Sequence, residues 1–270
     1  MNETLTRALS GLVYITVFIV AIYTSQQVLT AVLFIFGGIS CWELKRLLKE
    51  KSSIPYFQLI IVFGILAFST NINTQEKTFL ALAVLSLLVN SYLTYQLFTL
   101  KRLKERSFFK QILPLGYLIS SISLLAITPS ILGSYNPNII FGILVIIWTN
   151  DTFAYLVGKN FGKRKLFEKI SPKKTIEGFI GGMLFGVLTG CIMASFVQEI
   201  AIIHWILLSI IITTFGTIGD LVASKFKREA NIKDSSNLIP GHGGFLDRLD
   251  SLLFVSPFVY LYIQLLANTL

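Results

Sequence analysis

Apolar stretches long enough to cross a lipid bilayer recur along the whole chain, and this pattern restricts it to one kind of fold. A helix needs about 20 residues to cross a hydrocarbon core of about 30 Å. Stretches of that order can be drawn at roughly 8 to 25, 26 to 41, 56 to 71, 78 to 98, 111 to 128, 138 to 157, 178 to 197, 200 to 222 and 251 to 268. The expected fold is therefore all-α, a polytopic membrane bundle of about nine helices. Composition agrees: 14% of residues are charged, where soluble domains carry about 25%, and 54% are hydrophobic.

The basic residues test the count independently. Lys and Arg number one before the first span, four between 41 and 55, five between 99 and 110, seven between 158 and 177, and five between 223 and 250. Of the 23 in the chain, Lys77 alone falls in the intervening loops. Basic loops mark the cytoplasmic side, so this alternation predicts an odd number of spans with a cytoplasmic amino terminus. Adding or losing one span would scatter the charges to both faces. The same assignment predicts an integral protein of the cytoplasmic (inner) membrane, with its basic loops in the cytoplasm and its carboxyl terminus on the other side.

The net charge of +9 is then a property of one membrane face. Each basic residue near an anionic lipid surface contributes about 1 kcal/mol of attraction, so membrane lipid is the expected partner, and no motif points to nucleic acid. Cys41 and Cys191 lie in apolar contexts without metal-ligand spacing and read as packing residues. The amino terminus shows no charged n-region followed by a small-residue cleavage site, so the first apolar segment is expected to be a retained span or signal anchor.

No internal repeat, low-complexity tract or long linker divides the chain, which is expected to form a single membrane domain. Residues 1–137 carry generic apolar spans and basic connectors such as Glu43 to Lys51, and their function is not legible. Residues 138–270 hold the catalytic candidates: nine of the fourteen acidic residues and the glycine-rich loops fall between 138 and 250. Gly178, Gly182, Gly186 and Gly190 recur every fourth residue, a smooth stripe that lets another helix approach closely. Packing is its expected use, a ligand-facing groove the alternative, and a homodimer through the stripe a further expectation.

The stretch SKFKREANIKDSSNLIPGHGGFLDRLD, residues 224 to 250, is a dense polar loop in this apolar chain. Asp220, Asp234, Asp247 and Asp250 stand among Lys225, Lys227, Arg228, Lys233 and Arg248, a mixture that suits a phosphate with a metal ion. If the eighth span stays helical to residue 224, Asp220 and Ser224 share a face that continues to Lys227 and Arg228. Asp247 and Asp250 are also helical neighbours, with Arg248 turned to another side. Mg²⁺ prefers a few carboxylates plus waters and substrate phosphates, so Asp220, Asp247 and Asp250 are expected to converge on it; ion pairs with the neighbouring cations are the plainer use. Gly241, Gly243 and Gly244 would let backbone amides approach a phosphate or simply form a loop turn, and His242 would contact that phosphate or order the loop. His204, between Ile203 and Trp205, reads as interfacial, and neither histidine as a zinc ligand.

Asp151 lies within or at the edge of an apolar run, where a carboxylate normally faces a polar interior. It is a metal or substrate contact, or the partner of a nearby lysine. Ser171-Pro172 has the form of a helix start. Lys173 and Lys174 would then oppose the helix dipole unless an anion such as a phosphate bound there. The basic residues Lys159, Lys163, Arg164 and Lys165, with Gly158 and Gly162, suit either a basic collar or an ordinary cytoplasmic loop.

Ser224, Phe226, Lys227, Arg228, Lys233, Asp234, Pro240, His242, Gly243, Gly244, Phe245, Asp247, Arg248, Leu249 and Asp250 together resemble the signature of the phosphatidate cytidylyltransferase family. The segment from Asp151 to SPKKTIEG is also similar to that family, apart from Glu168 in place of a common proline and Ile176 in place of a common aromatic; the departures bear on loop shape. The resemblance implies that CTP and phosphatidate give CDP-diacylglycerol and pyrophosphate. Asp220, Asp247 and Asp250, with Asp151, would hold Mg²⁺ and, if two metals clamp the phosphates, a second cation. Lys173, Lys174, Lys227, Arg228 and Arg248 would clamp phosphates, with Ser224, Lys233, His242, Gly243 and Gly244 binding substrate. The alternatives are a CTP-dependent lipid kinase and, in another class, a transporter. The paired Asp-Gly and Ala-Arg pattern of the CDP-alcohol phosphotransferases is not found.

Overall fold

The computed structural model describes residues 3–68, 72–100 and 111–269. The basic stretch from Lys101 to Lys110 lies outside them, as does the side chain of Arg7. Among the described residues the main helices are α1 (Glu3–Thr24), α2 (Gln26–Leu47), α3 (Ile54–Phe68), α4 (Ile72–Thr99), α5 (Gln111–Ser130), α6 (Pro137–Phe161), α7 (Ile176–Met193), α8 (Ile202–Glu229) and α9 (Leu246–Ala267). Seven of them are long and apolar enough to cross a membrane, while the apolar parts of α1 and α3, Leu9–Thr24 and Ile54–Phe68, are shorter.

Local chemistry explains the breaks. Ser25 is extended and its hydroxyl accepts from the amide of Val28 (3.2 Å), so α1 and α2 are separate although their apolar runs nearly touch. Pro114 opens a π turn, Pro114–Ile119, inside α5, where the proline lacks the amide that a regular helix would use. This helix is the most buried of the seven long ones, with 83% of its most apolar window inside the protein. Around it, a single hydrophobic cluster runs from Phe18 to Ile263.

Polar contacts tie the two ends of the bundle separately. At one end, Tyr135 donates to the carbonyl of Ile22 (2.6 Å), Tyr23 donates to Asn138 (2.9 Å), and His204 pairs with Tyr262 (2.9 Å). At the other, Ser10 of α1 and Glu43 of α2 both reach the loop between α8 and α9. α1 and α2 thus form an antiparallel pair whose free ends meet the polar loop.

Two expectations are corrected. Ser171-Pro172 does not start a helix: Ser171–Thr175 is strand β2, paired antiparallel with β1 (Lys165–Phe167). A helix started at Ser171 would set Lys173 and Lys174 against its own dipole. The start moves instead to Ile176, where Thr175 caps the helix by accepting from the amide of Gly178 (3.1 Å). The glycine stripe packs within the chain and so is not a free surface for a second copy. A Cβ at Gly178 would lie 2.6 Å from the carbonyl oxygen of Ala154 and one at Gly182 2.7 Å from that of Asn150, both on α6. At Gly186 it would meet Thr213, and at Gly190 it would overlap Ser209, both on α8.

Candidate active site

α8 runs past its apolar stretch to Glu229, so Asp220, Ser224, Lys227 and Arg228 are all helical. α9 begins at Leu246, which places Asp247 and Asp250 in its first two turns. The two helices pack against each other, and α6 brings Asp151 towards the same region. Two cavities meet there. One, of about 240 Å³, is lined by Gly11 and Tyr14 of α1, Asp151, His242, Asp247, Arg248 and Asp250. The other, of about 650 Å³, lies under the β1–β2 hairpin and is lined by Asp151, Lys159, Lys165, Lys173, Lys174 and Asp220. Asp151 lines both, and thus stands between a basic chamber and a chamber containing Arg248.

The four aspartates differ in how the protein satisfies them. Asp247 is fully engaged: Oδ1 accepts from Lys227 (2.6 Å), and Oδ2 accepts from the amides of Ser235 (2.8 Å) and Gly244 (2.9 Å). Asp220 pairs with Lys174, and both side chains remain about one-third exposed. Asp151 accepts from Asn150 (3.2 Å). Asp250 is buried, and among the described residues its one hydrogen bond is from the amide of Ser251 (2.7 Å). It lies in the field of Asp220, Asp151 and Lys227. The hydroxyl of Tyr117, fully buried and without a hydrogen-bond partner among the described residues, lies in the field of the same acidic group.

Helical spacing turns Arg248 to another side than Asp247 and Asp250, yet all three line the smaller cavity. Lys173 and Lys174 line the larger one from a strand, not from a helix start. His242 orders the loop: its Nδ1 lies 3.0 Å from the hydroxyl of Ser10, which donates to the carbonyl of Pro240 (2.8 Å). Gly243 has φ +84°, and a Cβ there would lie 2.7 Å from Asp247 Oδ2; one at Gly244 would overlap Ser235 and Glu43. The close approach these glycines permit is taken by protein carboxylates. Ser224, Lys227, Arg228, Lys233, Gly243 and Gly244 line neither cavity, and Arg228 and Lys233 are exposed.

Sequence reasoning missed Glu43. It is completely buried, and its carboxylate accepts from the hydroxyls of Ser235 (2.9 Å) and Ser236 (2.5 Å) and from the amides of Phe245 (3.0 Å) and Leu246 (2.7 Å). It also missed Gly11 and Tyr14, since small and aromatic residues in an apolar helix carry no distinguishing signal. Glu177, part of the SPKKTIEG segment but without a role legible in the sequence, accepts from the amides of Lys163 (3.0 Å) and Arg164 (3.2 Å), fixing the entry to the hairpin.

No group of three His, Cys, Asp or Glu is drawn into a ready-made metal cage among the described residues. A hard cation nevertheless fits the donor set. Asp250 is a buried carboxylate with one hydrogen bond and like charges nearby, and Mg²⁺ takes few protein carboxylates and completes its shell with water and phosphate.

The family model described as "Cytidylyltransferase family" matches residues 5–266. A protein of Bacillus subtilis (strain 168) named phosphatidate cytidylyltransferase is 35% identical over 277 aligned positions, which cover 96% of this chain and 97% of that protein. A protein of the same name from Aquifex aeolicus (strain VF5) is 44% identical over 164 positions, 61% of this chain and 60% of its own. Another, from Staphylococcus aureus (strain COL), is 51% identical over 115 positions, 42% of this chain and 44% of its own.

Proposed function

The chain belongs to the cytidylyltransferase family, and from that premise we infer that it transfers the cytidylyl group of CTP to phosphatidate, giving CDP-diacylglycerol and pyrophosphate for phospholipid synthesis. The observation that carries this reading is the similarity to the Bacillus subtilis protein across nearly the whole length of both chains. An oxygen of the lipid phosphate attacks the α-phosphorus of CTP. The bond from that phosphorus to the oxygen bridging it to the β-phosphate breaks, and pyrophosphate leaves. Such transfer depends on positioning and charge stabilisation, with no covalent enzyme intermediate required. A site of Asp, Lys and Arg suits it.

The two cavities suggest how the chain divides this work. Lys159, Lys165, Lys173 and Lys174 offer the triphosphate several cations, while Arg248 faces the lipid phosphate from the smaller cavity. Asp151, Asp220 and Asp250 would hold Mg²⁺, which supplies positive charge to the phosphate oxygens when bound; a second cation would use the same carboxylates. Asp247 joins them only by giving up Lys227, so we assign it first to ordering the loop. Arg228 and Lys233, exposed near the same loop, act on the approach of the anionic substrates.

The same reading places the site at the cytoplasmic face of the inner membrane, with nine crossings once the shorter α1 and α3 are included. Its support is the clustering of basic residues in alternate loops. CTP from the cytoplasm and phosphatidate from the leaflet would then meet at Asp151. Incubation with phosphatidate, Mg²⁺ and CTP labelled at the α or the γ phosphorus tests the reaction. Alpha label in the lipid, with release of pyrophosphate, is expected; gamma label would make the chain a lipid kinase, and neither label would favour transport.

A further inference from the structure

We propose that Glu43 is a positioning residue for cytidylyl transfer, acting through the start of α9; the proposal rests on the reaction inferred above. α9 has no side-chain cap of its own, because its N-cap residue is Phe245. The first turn of a helix leaves amides without partners inside the helix. Here two of them, Phe245 and Leu246, donate to a carboxylate about 200 positions away in the sequence. The charge of Glu43 in turn lies at the positive end of the α9 dipole. α2 therefore supplies the cap that α9 lacks.

The clasp also holds the loop that brings Ile239 and His242 to the smaller cavity. The hydroxyl of Ser235 lies 2.9 Å from both Glu43 Oε2 and Asp247 Oδ2, donating its single proton to one or the other. Ser236 completes the set at 2.5 Å from Glu43 Oε1. Gly244 passes so close to Glu43 that a Cβ there would overlap the carboxylate. One buried side chain thus fixes both the axial position of α9 and the fold of the preceding loop. Asp247, Arg248 and Asp250 follow within the next five residues, so a shift at Leu246 is carried directly to them. Misplacing reacting groups by about 1 Å can lower a rate about a hundredfold.

A carboxylate is required because three partners, the Ser236 hydroxyl and the amides of Phe245 and Leu246, donate to both of its oxygens, and Ser235 adds a shared proton. Glutamine would turn an amide group towards N–H or O–H donors, and the two backbone amides cannot rotate away. Aspartate keeps both oxygens but falls one methylene short. A residue that only filled space would tolerate Glu43→Gln, which is nearly isosteric.

The test compares the full-length wild type with Glu43→Gln, Glu43→Asp and Ser236→Ala in phosphatidate-containing micelles, using CTP labelled at the α phosphorus. Folding is followed by gel filtration and thermal melting. For folded Glu43→Gln, kcat is expected to fall about tenfold or more, with KM for CTP and for phosphatidate each within about twofold of wild type, the signature of lost placement in the transition state. Glu43→Asp should recover part of kcat. A wild-type kcat in folded Glu43→Gln, or a loss confined to KM, would overturn the proposal. If Glu43→Gln does not fold, Ser236→Ala decides: a loss of about twofold to fivefold in kcat at unchanged KM supports the clasp, and an unchanged kcat overturns it. Failure of the wild type to transfer alpha label would instead refute the inferred reaction.

Discussion

The clasp around Glu43 and the acidic group around Asp250 lie at the same end of the bundle, and both contain a buried carboxylate. Glu43 has three donors of its own, from Ser236 and two backbone amides, and shares a fourth, Ser235, with Asp247. Asp250 has one among the described residues, and it lies in the field of Asp220 and Asp151. Burying a charge is costly unless hydrogen bonds or an opposite charge replace its water. The first carboxylate is therefore satisfied by the fold and holds it together, whereas the second has less protein satisfaction and, on the proposed reading, would take a cation. Residues 1–137 provide the satisfied one, and residues 138–270 the other.

That contrast can be broken most severely at Asp247, which belongs to both regions. Asp247→Asn would leave Lys227 largely buried beside a neutral amide, and breaking a buried pair costs about 3 kcal/mol. Chemical denaturation should show that loss together with lost transfer; full stability would mean that the Lys227 pair is not the anchor of the loop. Thr175→Ala is a control on the chemical side of the molecule. Losing the N-cap of α7 should cost about 1 kcal/mol and shift the hairpin that carries Lys173 and Lys174, raising KM for CTP more than it lowers kcat. Equal changes in both would detach the hairpin from nucleotide binding. The smallest expected effect on stability is at Asp250. Replacing this poorly satisfied buried carboxyl by Asp250→Asn should leave the melting temperature unchanged or slightly higher, and a large drop would show that the group is structural, as Glu43 is.

The two regions were not equally legible in the sequence. The helical spacing of Asp220 with Ser224 and of Asp247 with Asp250 could be read because period and proximity coincide within one helix. The break at Ser25 separates two apolar runs that composition alone nearly merges. Glu43 could not be read, since beside Lys45 and Arg46 it looks like part of a solvated basic connector, while its partners are about 200 residues away. The strand at Ser171–Thr175 was hidden for a related reason. Serine followed by proline fits a helix start locally, and only pairing with Lys165–Phe167 and the cap at Thr175 shows otherwise. The glycine stripe was recognised as a packing face, but sequence could not tell an intramolecular neighbour from a second copy.

The most direct test of the central claim, that the poorly satisfied carboxylates of the second half carry the chemistry, is single-turnover transfer of alpha label from CTP to phosphatidate by Asp250→Asn protein that is as stable as wild type. A fall in rate on the order of 10³-fold is predicted, the scale of losing a charge-stabilising group in a preorganised site. Transfer at the wild-type rate would contradict the account.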